Sequence, residues 1–321
     1  MDIIGSAHID RAQWEALVKT SPTASWFQTP EAFDFYCSLP AMMKPFVVGV
    51  MRDQALKGVV VGYVTTDSNR IKQFFTRRAI IYGGPLFAED ISDEEVTVLL
   101  AEVKRQLQSQ AIYVETRNFV SLARWNACFE AVGFAHVPHY DMYIDCSHHE
   151  KMIALIHDTK RRQIRKAEKD GVTIVEATTA QEVHDYYVLL RQLYRHKVRR
   201  PLFAEDFFQR FVADKRGVLL LAKLNETVIG GILCPVLEGK VIYEWYVVGP
   251  AMVTWAAMDY ANKHHIPMFD LMGAGKPSEP YGVRAFKQQF GARIEKRGRF
   301  LCVNNKLLYG IGKIGVALMN R

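Results

Sequence analysis

The sequence predicts an α+β fold built from two copies of one unit. Three observations carry this. A strand, tight turn and strand are read at residues 46–63 and again at 218–233. Each hairpin leads to a further strand that closes on Gly-Pro, at residues 80–85 and 243–250. After each Gly-Pro comes a helical pattern and then another strand, 96–108 with 111–115 and 252–264 with 267–271. Order, type and spacing recur, which is how an internal structural repeat shows in sequence.

Taken in order, the hairpins rest on β-rich runs, and in the second copy Asn225-Glu226 supplies the turn. The two helices rest on apolar residues at i, i+3 and i+4. Between the copies, Asp145-Cys-Ser-His-His-Glu150 is polar and breaks periodicity. A basic helix is expected from about Lys151, ending at Gly171 after Lys169 and Asp170. The expected domains are therefore 1–148 and 149–299, with the tail 300–321 free to pack back on the first.

Composition narrows the class. With 49% apolar and 23% charged residues over 321 positions, the chain has the makeup of a folded soluble protein. Five scattered cysteines form no CxxC pair, so neither a disulfide framework nor a zinc site is expected. Ten histidines show no HxxxH or HxH spacing, and no metal is expected. No basic leader and no spanning apolar stretch is read, and a cytoplasmic location is expected. The net charge of +7 favours acidic partners, and it is concentrated in residues 160–169, 191–200 and 284–299.

The chemistry is expected in Phe269-Asp-Leu-Met-Gly-Ala-Gly-Lys-Pro277 and the following Tyr281-Gly-Val-Arg-Ala-Phe-Lys-Gln-Gln-Phe290. This reads as a buried strand ending in a glycine turn, a polar loop, and an amphipathic helix with Lys287 among aromatics. A lysine so placed can hold negative charge near exposed backbone amides, which suits group transfer on an anionic substrate. The first copy of the repeat lacks both the glycine turn and the lysine helix. Asp270, at the strand end, is the candidate carboxylate, either as a base or as a cap on loop amides.

Four segments resemble one family. Ser25-Trp-Phe-Gln-Thr-Pro-Glu31, Arg161-Arg-Gln-Ile-Arg-Lys-Ala-Glu-Lys-Asp-Gly-Val172, Phe269-Asp-Leu-Met-Gly-Ala-Gly275 and Phe286-Lys-Gln-Gln-Phe-Gly291 resemble, in order, elements of the FemA/FemB/FemX (FemAB) peptidoglycan bridge aminoacyltransferases. The resemblance implies two tandem GNAT-like domains with mixed sheets. It implies transfer of an amino acid from aminoacyl-tRNA to an amine of a peptidoglycan precursor stem peptide, nucleotide- or lipid-linked, with no cofactor beyond aminoacyl-tRNA as co-substrate. It assigns Lys287 as the charge stabiliser of the acyl transfer, with Phe286 and Phe290 shaping its pocket. Met272 departs from the pattern's glycine pair, the serine-rich element is shortened to Val248-Gly-Pro250, and no coiled-coil arm is read.

Further candidates for substrate binding are Arg199 and Arg200 for the precursor's phosphates, Arg284, and Tyr243 and Tyr246 on the strand expected to face the cleft. Lys160, Arg161, Arg162, Arg165 and Lys166 form the expected RNA-binding face. The apolar, glycine-bearing tail at 307–319 either docks on its own domain or lies on a membrane near a lipid-linked precursor. Two other functions stay open: an N-acyltransferase using acetyl-CoA, and a non-catalytic RNA- or precursor-binding protein. The Q/R-x-x-G-x-G/A loop of CoA-dependent GNAT enzymes is absent from both copies, which makes acetyl-CoA the weaker alternative.

Overall fold

The computed structural model describes residues 2–5 and 8–319, with side chains of the last helix described through residue 314. The described residues form two mixed sheets of eight strands each. The first holds β1 (Asp2–Gly5), β2 (Met43–Arg52), β3 (Ala55–Thr65), β4 (Ala79–Gly83), β5 (Leu86–Phe87), β6 (Tyr113–Asn118), β7 (Ala135–Val137) and the last described strand, β16 (Arg299–Val303). Its order is β1-β2-β3-β4-β6-β16-β7, with β5 also on β3. The second holds β8 (Asp141–Asp145), β9 (Thr173–Glu176), β10 (Gly217–Leu224), β11 (Thr227–Leu237), β12 (Val241–Tyr243), β13 (Tyr246–Val248), β14 (Met268–Gly273) and β15 (Arg293–Glu295). Its order is β15-β8-β14-β12-β11-β10-β9, with β13 also on β11.

The repeat read from sequence is visible in both sheets. Each contains one parallel pair, β4 with β6 and β12 with β14, and all other described pairs are antiparallel. A parallel pair needs a crossover, and in each unit a helix supplies it. These are α4 (Asp93–Leu107) and α10 (Ala251–Lys263). The two hairpins turn on Asp53-Gln54 and Asn225-Glu226, all four with positive φ (51°, 62°, 47° and 64°). Two successive left-handed residues make the turn whose twist matches that of the strands.

Helix α4 begins with a capping box, in which Ser92 Oγ accepts from the Glu95 N–H at 3.2 Å and Glu95 Oε2 accepts from the Ser92 N–H at 2.8 Å. Its Val96, Leu99, Leu100, Val103 and Leu107 bury one stripe against Val48, Val60, Ile81 and Val114 of the sheet. Each such side chain contributes about 1.5–3 kcal/mol on burial. In α10 the inward stripe is smaller (Val253, Ala256, Ala257, Ala261), and it packs over Ile232, Cys234 and Phe269.

The remaining helices are α1 (Arg11–Thr20), α2 (Pro30–Cys37), α3 (Arg70–Thr76), α5 (Asn126–Ala131), α6 (His149–Leu155), α7 (Asp158–Lys169), α8 (Ala180–Leu193), α9 (Glu205–Ala213), α11 (Gly282–Gln288) and α12 (Lys306–Met319). The basic helix expected from Lys151 is thus two helices, α6 and α7. The break falls at Ile156-His157, where His157 donates its N–H to the Gln289 carbonyl and its Nδ1 accepts from the Thr159 N–H at 3.2 Å. The far end is as expected. Gly171 stands at φ 88°, and the Val172 N–H returns to the Ala167 carbonyl at 2.9 Å.

Two compact units result. One comprises residues up to Pro138 together with those from Arg297 onward, and the other is His139–Lys296. The division falls ten residues before the expected 148/149. The strand β8, which falls inside the expected first domain, pairs with β14 and β15 of the second. The chain then returns to the first unit, where β16 inserts between β6 and β7.

Candidate active site

In the second unit β12 and β14 run side by side for three registered pairs, ending at Tyr243–Asp270. The Glu244 N–H still reaches the Asp270 carbonyl at 2.9 Å. Beyond it β13 stays with β11, pairing Tyr246 with Leu233, and is not registered with β14. A carboxylate-bearing residue and a tryptophan, Glu244 and Trp245, fill the gap between the two strand segments. In the first unit the equivalent parallel pair continues for five registered pairs, to Gly83–Asn118.

Strand β14 is itself irregular where the splay begins. Its register with β8 shifts between Asp270 and Gly273, and Met272 stands at φ 58°. A non-glycine residue there costs roughly 1–2 kcal/mol. The Asp270 carboxylate, fully buried, accepts from the Met272 N–H at 2.7 Å and so holds the turn. The residue that replaces the family pattern's glycine therefore adopts the backbone shape that glycine favours.

Helix α11 places Lys287 in this irregularity. Its Nζ donates to the Leu271 carbonyl, lies 3.3 Å from the Gly273 carbonyl and 3.3 Å from Glu244 Oε1. Both charged side chains are buried, at 6% and 7% exposure. An ammonium has three N–H donors, and these three acceptors match them. The other Glu244 oxygen, Oε2, is buried with no hydrogen-bond partner among the described residues. Burial pushes the Glu244 carboxyl above its ordinary range; Lys287 opposes this and Asp270 adds to it. The site is thus a fixed cation against a carboxylate that is only half satisfied.

The loop after β14 is pinned as firmly. Arg284 donates Nε to the Ala274 carbonyl at 2.9 Å and an Nη to the Lys276 carbonyl at 2.5 Å, with its guanidinium 4.8 Å from the Tyr140 ring centroid. Expected to bind substrate, Arg284 here clamps the glycine loop. Phe286 and Phe290 stand 5.2 Å apart, and Phe290 is fully buried. Over the Phe286 ring, at 4.2 Å, lies Lys160 Nζ.

That contact changes the reading of the basic helix. Lys160, expected on the RNA-binding face, is turned inward at 7% exposure, with Nζ also 3.2 Å from Gln163 Oε1, and burial lowers its pKa. Of the other four, Arg162, Arg165 and Lys166 are exposed and Arg161 is half-buried. Arg161 pairs with Asp158 and Lys166 with Asp170. Tyr243 is also buried, at 2%, within the core. Tyr246 is half-buried among Phe208, Trp245 and Tyr194, with centroids at 5.1, 5.7 and 6.1 Å. Arg199 and Arg200 are exposed at the end of a π-turn over Tyr194–Val198, where Arg199 stands at φ 51°. Sequence reasoning missed Glu244. Its signal was a lone carboxylate within the otherwise apolar and aromatic run 241–248.

The fold is that of two tandem GNAT-like domains with mixed sheets. The model of the FemAB family matches residues 243–314, a segment that begins at the splay and carries Glu244, Asp270 and Lys287. The resemblance read from sequence is thereby borne out. The structure is similar to that of FemX, with a TM-score of 0.71 at 17% identity over 97% of this chain and 99% of that one. It is also similar to a tandem GNAT protein from the clavulanic acid biosynthesis pathway (TM-score 0.60, 13% identity, 94% and 98% covered). A third likeness is to L-PGS from Bacillus licheniformis (0.58, 12%, 97% and 98%). At these identities the likenesses show the fold. No curated protein matches the chain.

Proposed function

We propose that the protein is a Fem-like aminoacyltransferase that moves an amino acid from aminoacyl-tRNA to an amine of a peptidoglycan precursor's stem peptide. The observation that carries this is the Lys287–Glu244 pair buried where β12/β13 and β14 part, inside the segment that matches the FemAB family. In the reaction the neutral amine attacks the ester carbonyl and a tetrahedral oxyanion forms. The bond to the ribose oxygen then breaks, and the amine's proton leaves while the ribose oxygen gains one. The fixed charge of Lys287 stabilises the oxyanion through space, and a direct hydrogen bond to it requires Nζ to give up one of its three acceptors, Leu271, Gly273 or Glu244. Glu244, with one oxygen that has no hydrogen-bond partner among the described residues, is the acceptor assigned to that proton. Phosphates of the precursor suit the exposed Arg199 and Arg200, and the exposed Arg162 and Arg165 suit tRNA.

Acetyl-CoA-dependent acylation is the weaker reading. The turn that precedes α10 is Gly249-Pro250, and Pro250 at the N-cap has no N–H to offer a pyrophosphate. The decisive experiment is transfer of labelled amino acid from an aminoacyl-tRNA pool to muropeptide precursors. Lys287→Met, confirmed as folded by circular dichroism, is expected to lower the rate by about 10²–10³-fold. Transfer at the wild-type rate would refute the role of Lys287. Thermal stabilisation by acetyl-CoA and not by tRNA would overturn the aminoacyl reading.

A further inference from the structure

The first unit carries two adjacent amphipathic helices whose apolar faces point away from its core. Helix α3 starts where the Asn69 carboxamide oxygen accepts from the Ile71 and Lys72 N–H groups, both at 3.0 Å, and it has no buried residue. Ile71, Phe74 and Phe75, at i, i+3 and i+4, are 74%, 46% and 42% exposed. Helix α12 lies beside it. There Leu307, Ile311 and Ile314, at i, i+4 and i+7, are 74%, 45% and 64% exposed. The opposite side of α12 does the anchoring: Leu308 is buried, and Tyr309 meets Tyr113 edge-on with centroids 5.3 Å apart. These six residues are the majority of the ten large apolar side chains exposed among the described residues. Soluble surfaces scatter such side chains, and a concentration of them marks an interaction site.

The surroundings of this face are cationic. Over residues 66–78 and 304–314 stand Arg70, Lys72, Arg77, Arg78, Lys306 and Lys313 against one acid, Asp67. Asp67 pairs with Lys72 at 2.5 Å, and Arg77 lies over the Phe74 ring at 5.1 Å from its centroid. A helix of 14 residues falls short of the roughly 20 needed to span a bilayer, and no described helix is long and apolar enough to cross one. Short helices with an apolar face and a basic rim lie in the plane of an interface, where the apolar groups enter the acyl boundary and the cations meet anionic headgroups.

We propose that α3 and α12 together form a docking face for an anionic phospholipid surface. The apolar side chains supply the insertion and the six cations supply the preference for negative charge. This goes beyond the transferase reading and stands or fails without it, because vesicle binding requires no substrate.

The test is co-sedimentation of the full chain with vesicles of phosphatidylglycerol and phosphatidylcholine, against vesicles of phosphatidylcholine alone. Binding is expected to the anionic vesicles and to weaken as salt rises. The double variants Phe74→Ser/Phe75→Ser and Leu307→Ser/Ile311→Ser are each expected to bind about tenfold or more weakly. Their melting temperatures are expected to stay within a degree or two of wild type, since the side chains are exposed. Arg70→Glu/Lys313→Glu is expected to lose the preference for anionic lipid. Absence of wild-type binding, or binding indifferent to these substitutions, would overturn the proposal. So would a wild-type dimer in sedimentation velocity that the same substitutions dissociate, which would give the face to a second copy of the chain.

Discussion

Lys287 holds two carbonyls of a distorted strand and one carboxylate at once, so its charge organises the backbone as well as facing the site. Removing either member of a buried pair leaves the other uncompensated, at about 3–5 kcal/mol. A double-mutant cycle separates the pair from its parts. Lys287→Met and Glu244→Leu are each expected to lower unfolding stability by about that amount. The double variant is expected to cost much less than their sum, as read by urea unfolding. The sign with pH follows from the raised Glu244 carboxyl. In Lys287→Met the lysine's opposing pull is gone and the carboxyl rises further. Below the unfolded pKa, about 4.3, the raised group adds nothing against folding; above it, the stability supplied by the bound proton fades as pH climbs through the folded value. The variant's deficit is therefore expected to be larger at pH 8 than at pH 5. Additive losses with no pH dependence would show that the two side chains act independently.

The strand β16 is tied into the first sheet by charge as well as by register. Arg299 donates to Glu115 Oε1 at 2.8 Å, and Arg117 lies 3.1 Å from Oε2 of the same carboxylate. Burial pushes the Glu115 carboxyl up, but the two guanidinium groups outweigh it and hold it down to about 2. A depressed carboxyl contributes stability that is full above its unfolded pKa and is lost as pH falls toward the folded value. Glu115→Gln is expected to remove roughly 3 kcal/mol at neutral pH and to flatten the loss of stability between about pH 4.5 and 2. An unchanged acid profile would show that β16 is held by its backbone alone. Hairpins, crossover helices and the lysine helix were legible in the sequence because each is set by local chemistry: turn residues, apolar spacing, a glycine cap. Three things were not. The inward turn of Lys160 depends on Phe286, far along the chain. The partnership of Glu244 with Lys287 depends on where two strands part. The place of β8 in the second sheet depends on β14 and β15, which follow it by more than a hundred residues.

At the scale of the molecule, one unit is continuous in sequence and the other is not. The strand β7 has β16 as its registered partner, and β16 is also the neighbour of β6. A chain ended at residue 296 therefore leaves β6 with one open edge and β7 without a place in the sheet. Such a truncation is expected to increase amide exchange across β6 and β7 by orders of magnitude while β10 and β11 keep wild-type protection. Equal loss in both units would show that the second does not hold its fold independently of β16. The same insertion dictates an order of events on the ribosome. The second unit, 139–296, is complete before the strand that finishes the first has been made. At about 5–20 residues per second, the first unit waits roughly ten to thirty seconds with an open sheet. The usual N-to-C sequence of domain maturation is thus reversed. The nascent first half is the stretch most exposed to chaperones and to mispairing, and it is released from that exposure only when β16 emerges.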